Sequence, residues 1–165
     1  MLQSTYSTQR AGMIDYTNLV TTMRRLSLQA GDKILDIYAA DDFDVKVKSD
    51  ESPVTVADEA ADAIISEGLR AAFPGVPLVT EEQAASHALR EDTFLIVDPL
   101  DGTKEFIQRR GDFTVNIALV EKGVPTRGVV FAPARQRMFF TTAEGVSVEE
   151  TGPFELDEIG RTHPI

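Results

Sequence analysis

A chain of 165 residues with 42% apolar side chains can bury one real core, which excludes disorder as its default state. A net charge of −11 argues against a nucleic acid polymer as partner, but a small phosphorylated substrate stays open because bound divalent ions invert the local potential. The lack of cysteine removes disulfides and thiolate metal sites, so a metal here must be held by oxygen, as Mg2+, Mn2+ or Ca2+ are.

No apolar run is long enough to span a bilayer. Residues 1–12 are rich in Ser, Thr and Gln, with Arg10 and no acid, and they lack an amphipathic repeat. They read as a disordered leader, with Met13 as an alternative start. A cytoplasmic protein is expected, and nothing in the sequence reports on oligomeric state.

Leu19, Met23, Leu26, Ala30, Ile34 and Ile37 recur at steps of three and four, which predicts an amphipathic helix interrupted only by Gly31 and ending at Asp41-Asp42. Val45 and Val47 alternate with Lys46 and Lys48 as in a short strand, and 49–53 reads as a loop. Thr55-Val56-Ala57-Asp58 has the form of a capping box. The helix it opens buries Ala61, Ile64, Ile65, Gly68, Leu69 and Ala72, and Phe73-Pro74-Gly75 ends it. Val76 to Val79 is a short strand with Glu81-Glu82 at its exit, followed by a polar surface loop from Ala84 to Asp92.

The apolar run Phe94-Leu95-Ile96-Val97 leads into Asp98-Pro99-Leu100-Asp101-Gly102-Thr103. Beyond it, Phe113, Val115, Ile117 and Leu119 alternate with Thr114, Asn116 and Ala118. Further strands are expected around Val129-Phe131, Met138-Phe140 and Val146-Val148, joined by short turns. Two long helices followed by such a meander predict an α+β layer with a mainly antiparallel sheet.

Asp98 and Asp101 stand at a strand exit, and the plainer reading makes them a turn with a helix cap. The alternative is a cation site, because Glu81 and Asp58 also lie at element ends and Mg2+ takes carboxylate, carbonyl, water and phosphate oxygens together. The Leu100 carbonyl is one further oxygen. Asp101 would cap a helix whose first residues, Gly102 and Thr103, offer amides to an anion. For Asp58, spacing alone favours the capping box.

These motifs carry a resemblance. Glu81-Glu82 and Asp98-Pro99-Leu100-Asp101-Gly102-Thr103, with Lys48-Ser49 and Val54-Thr55-Val56-Ala57-Asp58 upstream, resemble the lithium-sensitive, Mg2+-dependent phosphomonoesterases of the inositol monophosphatase superfamily. Lys104-Glu105-Phe106 and Gly111 to Leu119 are similar to its 3′(2′),5′-bisphosphate nucleotidase branch, and the similarity runs over about residues 16–150. The resemblance implies hydrolysis of adenosine 3′,5′-bisphosphate to AMP and phosphate with two or more Mg2+ per site. It implies metal ligation by Glu81, Asp98, the Leu100 carbonyl and Asp101, and phosphate binding by Asp101, Gly102, Thr103 and Lys104. Asp58 and Thr103 would polarise the attacking water, with Glu81 counted among the catalytic groups. Lys104 reads equally as a solvated helix-start lysine, and Lys48 as a loop residue near the carboxylates. Glu82 has at most a supporting role, and His87 and His163 are exposed bystanders.

Members of that superfamily continue into a second α/β domain with a Trp-Asp-x-Ala-Ala-Gly-like motif, and this sequence has no tryptophan. The resemblance thus implies an N-terminal part: a leader (1–12), a metal- and phosphate-binding α+β domain (13–150), and a tail (151–165) leading towards an absent C-terminal α/β domain. An apolar face is expected where that domain would pack. Inositol monophosphate or a related sugar phosphate remains an alternative substrate, and a weakly active or inactive metal-binding domain an alternative of another class.

Overall fold

The computed structural model describes residues 13–40, 45–47, 53–88 and 91–165. The leader, the Asp41-Asp42 pair, Lys48 and Ser49 fall outside them.

Helix α1 (Tyr16–Tyr38) opens where the Asp15 carboxylate accepts the N–H groups of Thr17 and Asn18 at 2.9 and 3.1 Å. Its buried stripe, with Leu19, Met23, Leu26, Ala30 and Ile34, follows the predicted spacing. Strands β1 (Val45–Val47) and β2 (Pro53–Thr55) pair antiparallel, and β2 runs directly into α2 (Val56–Ala72). The short strand β3 is Leu78–Thr80, slightly later than its apolar run suggested, and a 3-10 turn at Ala84–Ala88 occupies part of the expected loop.

Strand β4 (Thr93–Asp101) pairs parallel with β3 and antiparallel with β5 (Thr114–Glu121). Between β4 and β5 lies the five-residue helix α3 (Thr103–Ile107). The chain then winds antiparallel through β6 (Val124–Ala132), β7 (Arg137–Thr141), β8 (Ser147–Thr151) and β9 (Thr162–Pro164). The seven-stranded sheet therefore runs β3 to β9 in sequence order. The expected architecture is present: helices on one face of a mostly antiparallel sheet.

One core lies between helices and sheet. Leu95 and Val97, then Val115, Ile117 and Leu119, then Val129 and Phe131 point from alternate strand positions towards the buried stripes of α1 and α2. Gly31 explains how closely α1 lies on β6: a Cβ there would fall 2.4 Å from the Phe131 ring. The mid-helix glycine is a close-approach residue, which offsets its poor helix propensity.

The opposite face of the sheet is open among the described residues. Ile96 is 41% exposed and Val130 42%, and a shallow groove of about 810 Å3 runs past them from Asp98 and Asn116 to Phe139 and Ile165. This open face is also the one that bears Asp98.

The segment after β8 carried no periodic signal, yet it is tied into the fold. Arg24 of α1 donates from Nε and Nη2 to the two oxygens of Glu150 on β8, each at 2.7 Å, with both side chains buried. Its Nη1 reaches the carbonyls of Glu155 and Leu156 at 2.8 and 3.2 Å, and the Gly160 N–H donates to Glu150 at 2.7 Å. Residues 151–165 are thus folded back beside α1, with β9 at the sheet edge. Removing one partner of a buried bidentate pair strands the other charge. Arg24→Met should lower unfolding free energy in urea by about 3–5 kcal/mol, and adding Glu150→Leu should recover much of that loss.

Candidate active site

Three elements end at one place. Strand β3 sets Thr80 beside Val97, and the next N–H, of Glu81, donates to the Val97 carbonyl at 3.0 Å. Glu81 is thereby laid next to Asp98, the following residue of β4. On the other side, Asp98 stands opposite Asn116 of β5. The ladder shifts register between Asp98 and Asp101, where Pro99 has no N–H to give, and pairing resumes with Asp101 opposite Thr114. The motif is therefore the bulged end of the strand itself, not a turn that follows it.

The Glu81 turn is braced from α2. Gln83 Nε2 donates to Asp62 at 2.7 Å and to Ser66 at 3.3 Å, and Arg70 donates to Gln83 Oε1 at 2.6 Å. The ring of His87, exposed as expected, bonds the Thr80 carbonyl at 2.8 Å. His163 lies on β9 opposite Glu149 and is exposed.

Asp58 serves two partners with two oxygens. Oδ2 accepts the Thr55 N–H at 2.8 Å and the Thr55 hydroxyl at 2.6 Å, completing the predicted capping box of α2. Oδ1 accepts the Thr103 hydroxyl at 3.0 Å. The cap and the predicted Asp58–Thr103 pair coexist. The Thr103 hydroxyl also lies 3.2 Å from the Leu100 carbonyl, but its one proton is better given to the carboxylate. That choice leaves the carbonyl oxygen of Leu100 available as a ligand.

Asp101, expected to cap the helix, does not. It is the last residue of β4, and Gly102 is the N-cap of α3 with no side-chain bond. Residue 102 must be glycine: the chain turns there at φ 91°, and a Cβ would sit 2.7 Å from the Asp112 carbonyl. With only five residues, α3 has a small macrodipole, so any anion affinity rests on local amides. Phe106 anchors α3, packing on Tyr38 and Phe113 at ring separations of 5.1 and 5.2 Å. Lys104 is exposed on the first turn, and Glu82 is half-buried.

Burial pushes the Asp98 carboxyl up to about 8, assisted by the hydrogen-bonded Glu81 carboxyl and the negative charges of Glu81 and Asp101, while the Leu100 N–H opposes the rise. Asp98 Oδ1 is buried without a hydrogen-bond partner, and so is Oδ1 of its cross-strand neighbour Asn116. Two orphaned acceptor oxygens among crowded carboxylates suit a hard cation. Among the described residues, no three carboxylate or imidazole groups form a finished metal cage. Asn116 was not singled out from the sequence, because its place beside Asp98 depends on the β4–β5 register. Lys48 lies outside the described residues.

A sequence profile of the Inositol monophosphatase family matches residues 15–159. The chain belongs to the inositol monophosphatase family. It is 46% identical over 129 residues to the 3′(2′),5′-bisphosphate nucleotidase CysQ of Salmonella typhimurium, covering 76% of this chain and 52% of the relative. To the same-named protein of Shigella flexneri it is 44% identical over 144 residues, covering 85% and 58%. The crystal structure of CysQ from Bacteroides thetaiotaomicron superposes with a TM-score of 0.71 at 37% identity, covering 89% of this chain and 54% of that one. The chain thus spans about half the length of the relatives it matches.

The carboxylate crowding has a measurable sign. The unfolded Asp98 ionises near 3.8 and the folded one near 8, so between these values the native state binds more protons. Its contribution makes the metal-free protein lose stability as pH rises from about 4 to about 8. In urea unfolding with EDTA, Asp98→Asn should lack this loss and exceed the wild type in stability at pH 8. A wild-type pH profile no steeper than that of the variant would contradict the assignment.

Proposed function

We propose that this chain carries the metal- and phosphate-binding part of a Mg2+-dependent phosphomonoesterase that converts adenosine 3′,5′-bisphosphate to AMP and phosphate. The observation that carries the reading is the Thr103–Asp58 hydrogen bond at 3.0 Å, made across 45 positions of sequence and beside the Asp98–Glu81 carboxyl pair. The 44–46% identity to bisphosphate nucleotidases supports the nucleotide as substrate.

In this mechanism Glu81, Asp98 and the Leu100 carbonyl would hold one Mg2+, and Asp98 with Asp101 a second. The ions, when bound, would neutralise phosphate charge and make water more acidic. Gly102 and Thr103 present backbone amides to the phosphate oxygens, with Lys104 beside them. The Thr103 hydroxyl, its proton committed to Asp58, turns lone pairs to the attacking water and orients it. Water adds to phosphorus as the bond to the ribose 3′ oxygen breaks. The proton lost by water is balanced by one gained at that oxygen. Residues 13–150 would do this, with the following segment closing the same sheet as β9, and the nucleoside would be held by the half of the fold that relatives carry beyond this length.

Phosphate release from adenosine 3′,5′-bisphosphate, with Mg2+ and with EDTA, tests the reading on the 165-residue chain and on the longest chain its gene encodes. Mg2+-dependent release is expected from the longer form and little from the 165 residues alone, where substrate positioning is poor. No release from either would overturn the proposal, and preference for inositol monophosphate would move it to that substrate. Asp98→Asn should cost about 100-fold or more in kcat, since even residues behind a metal ligand cost 10–100-fold. Thr103→Val should lower kcat by about 10²- to 10⁴-fold while Thr103→Ser retains activity.

A further inference from the structure

Helix α2 buries a polar pair beside its apolar stripe. Asp62 and Ser66, one turn apart on the same face, are 6% and 1% exposed. Burying polar side chains costs stability unless they are hydrogen-bonded. Ser66 Oγ donates to Asp62 Oδ1 at 3.2 Å. Gln83, 21 positions beyond Asp62, donates from Nε2 to Asp62 Oδ2 at 2.7 Å and to Ser66 Oγ at 3.3 Å. Arg70 takes the other end of the amide, Oε1, at 2.6 Å. A carboxylate on one side and a guanidinium on the other fix which way the amide points.

That amide stands two residues past Glu81, in a turn that needs an anchor. Strand β3, which delivers Glu81, has three residues and lies at the edge of the sheet. A strand so short at an edge opens more readily than the central ones. Local bonds shape the turn that follows it. The Gln83 N–H reaches the Thr80 carbonyl at 3.3 Å. Ser86 Oγ accepts the Thr80 N–H at 3.0 Å and donates to the Gln83 carbonyl at 2.7 Å. These bonds stiffen residues 80–86 as a unit, and the Gln83 side chain ties that unit to α2.

The carboxylate site makes this tie consequential. Glu81 is laid next to Asp98, with Asp101 close by, and like charges push its turn outward from β4. A divalent ion binds more tightly where the carboxylates are already held together, because less ordering remains to be done on binding. We propose that Gln83, held by the buried Asp62 and Ser66, is a positioning residue for Glu81 and sets how tightly the site binds its divalent cation. The inference rests on the phosphomonoesterase reading given above, which supplies the cation. Asp62 and Gln83 act through the placement of Glu81 and not on the reacting atoms.

The test is Mn2+ binding, which draws on the same oxygen ligands as Mg2+ and is read from the electron paramagnetic resonance of the free ion, without turnover. On the longest chain the gene encodes, Gln83→Ala and Asp62→Ala should each raise the Mn2+ dissociation constant about 10-fold, the lower end for groups that support a metal ligand. The double variant should bind no more weakly than either single one, because both remove the same tie. Asp62→Asn keeps an acceptor for Gln83 and should stay near the wild type, which separates positioning from the loss of a charge. A purely structural role would lower stability in urea and leave the dissociation constant of the folded protein unchanged. That result for Gln83→Ala overturns the inference. So does an Asp62→Asn variant as weak as Asp62→Ala, or single losses that multiply in the double variant. In each of these cases the wild type still binds Mn2+ and the phosphatase reading stands. If the wild type binds no Mn2+, the metal-dependent reading fails and takes the inference with it.

Discussion

At the end of β4 the Asp98 carboxyl is partly withdrawn from water, and the charges of Glu81 and Asp101 acting on it are both negative. Desolvation and like-charge repulsion act in the same direction there, and the protein alone relieves them only by keeping a proton. Much of the surrounding structure maintains this unfavourable arrangement. The parallel pairing of β3 fixes Glu81 against Asp98, and the bulge at Pro99 brings Asp101 into the same strand end. The hydrogen bonds from Gln83 to Asp62 and Ser66 hold the Glu81 turn against α2. A cation bound among these carboxylates would relieve both effects.

The scaffold explains how so short a motif is held. Phe106, Tyr38 and Phe113 pin the five-residue α3 to the end of α1, and the close contact at Gly31 sets α1 tightly on β6. At the far end of the core, the Arg24–Glu150 pair ties α1 to β8 and to the segment that returns as β9. Together these contacts keep the helix layer and the sheet in one register.

Features that depend on neighbours in the chain were legible from sequence. The spacing of Leu19 to Ile34 described α1, Thr55 with Asp58 described the capping box, and the alternation from Phe113 to Leu119 described β5. The candidate carboxylates stood out because they cluster at element ends. Features that depend on pairing across the chain did not. Asn116 meets Asp98 only through the β4–β5 register, and Arg24 meets Glu150 across 126 positions. The cap of α3 was misassigned to Asp101 because an aspartate before glycine is an ordinary N-cap signal. Here Asp101 is still paired in β4 opposite Thr114, and the left-handed Gly102 takes the cap position. The strand β9 has few apolar residues, and it forms because β8 offers an edge and Glu150 an anchor.

The division of Asp58 between Thr55 and Thr103 links local breathing to the state of the site. When the first turn of α2 frays, the carboxylate loses the contacts that fix its rotamer, and the Thr103 hydroxyl loses its acceptor in the same event. Amide exchange at the start of that helix therefore reports the fraction of molecules whose site is assembled. Any substitution at residue 58 removes the α2 cap and the Thr103 contact together, because one side chain makes both.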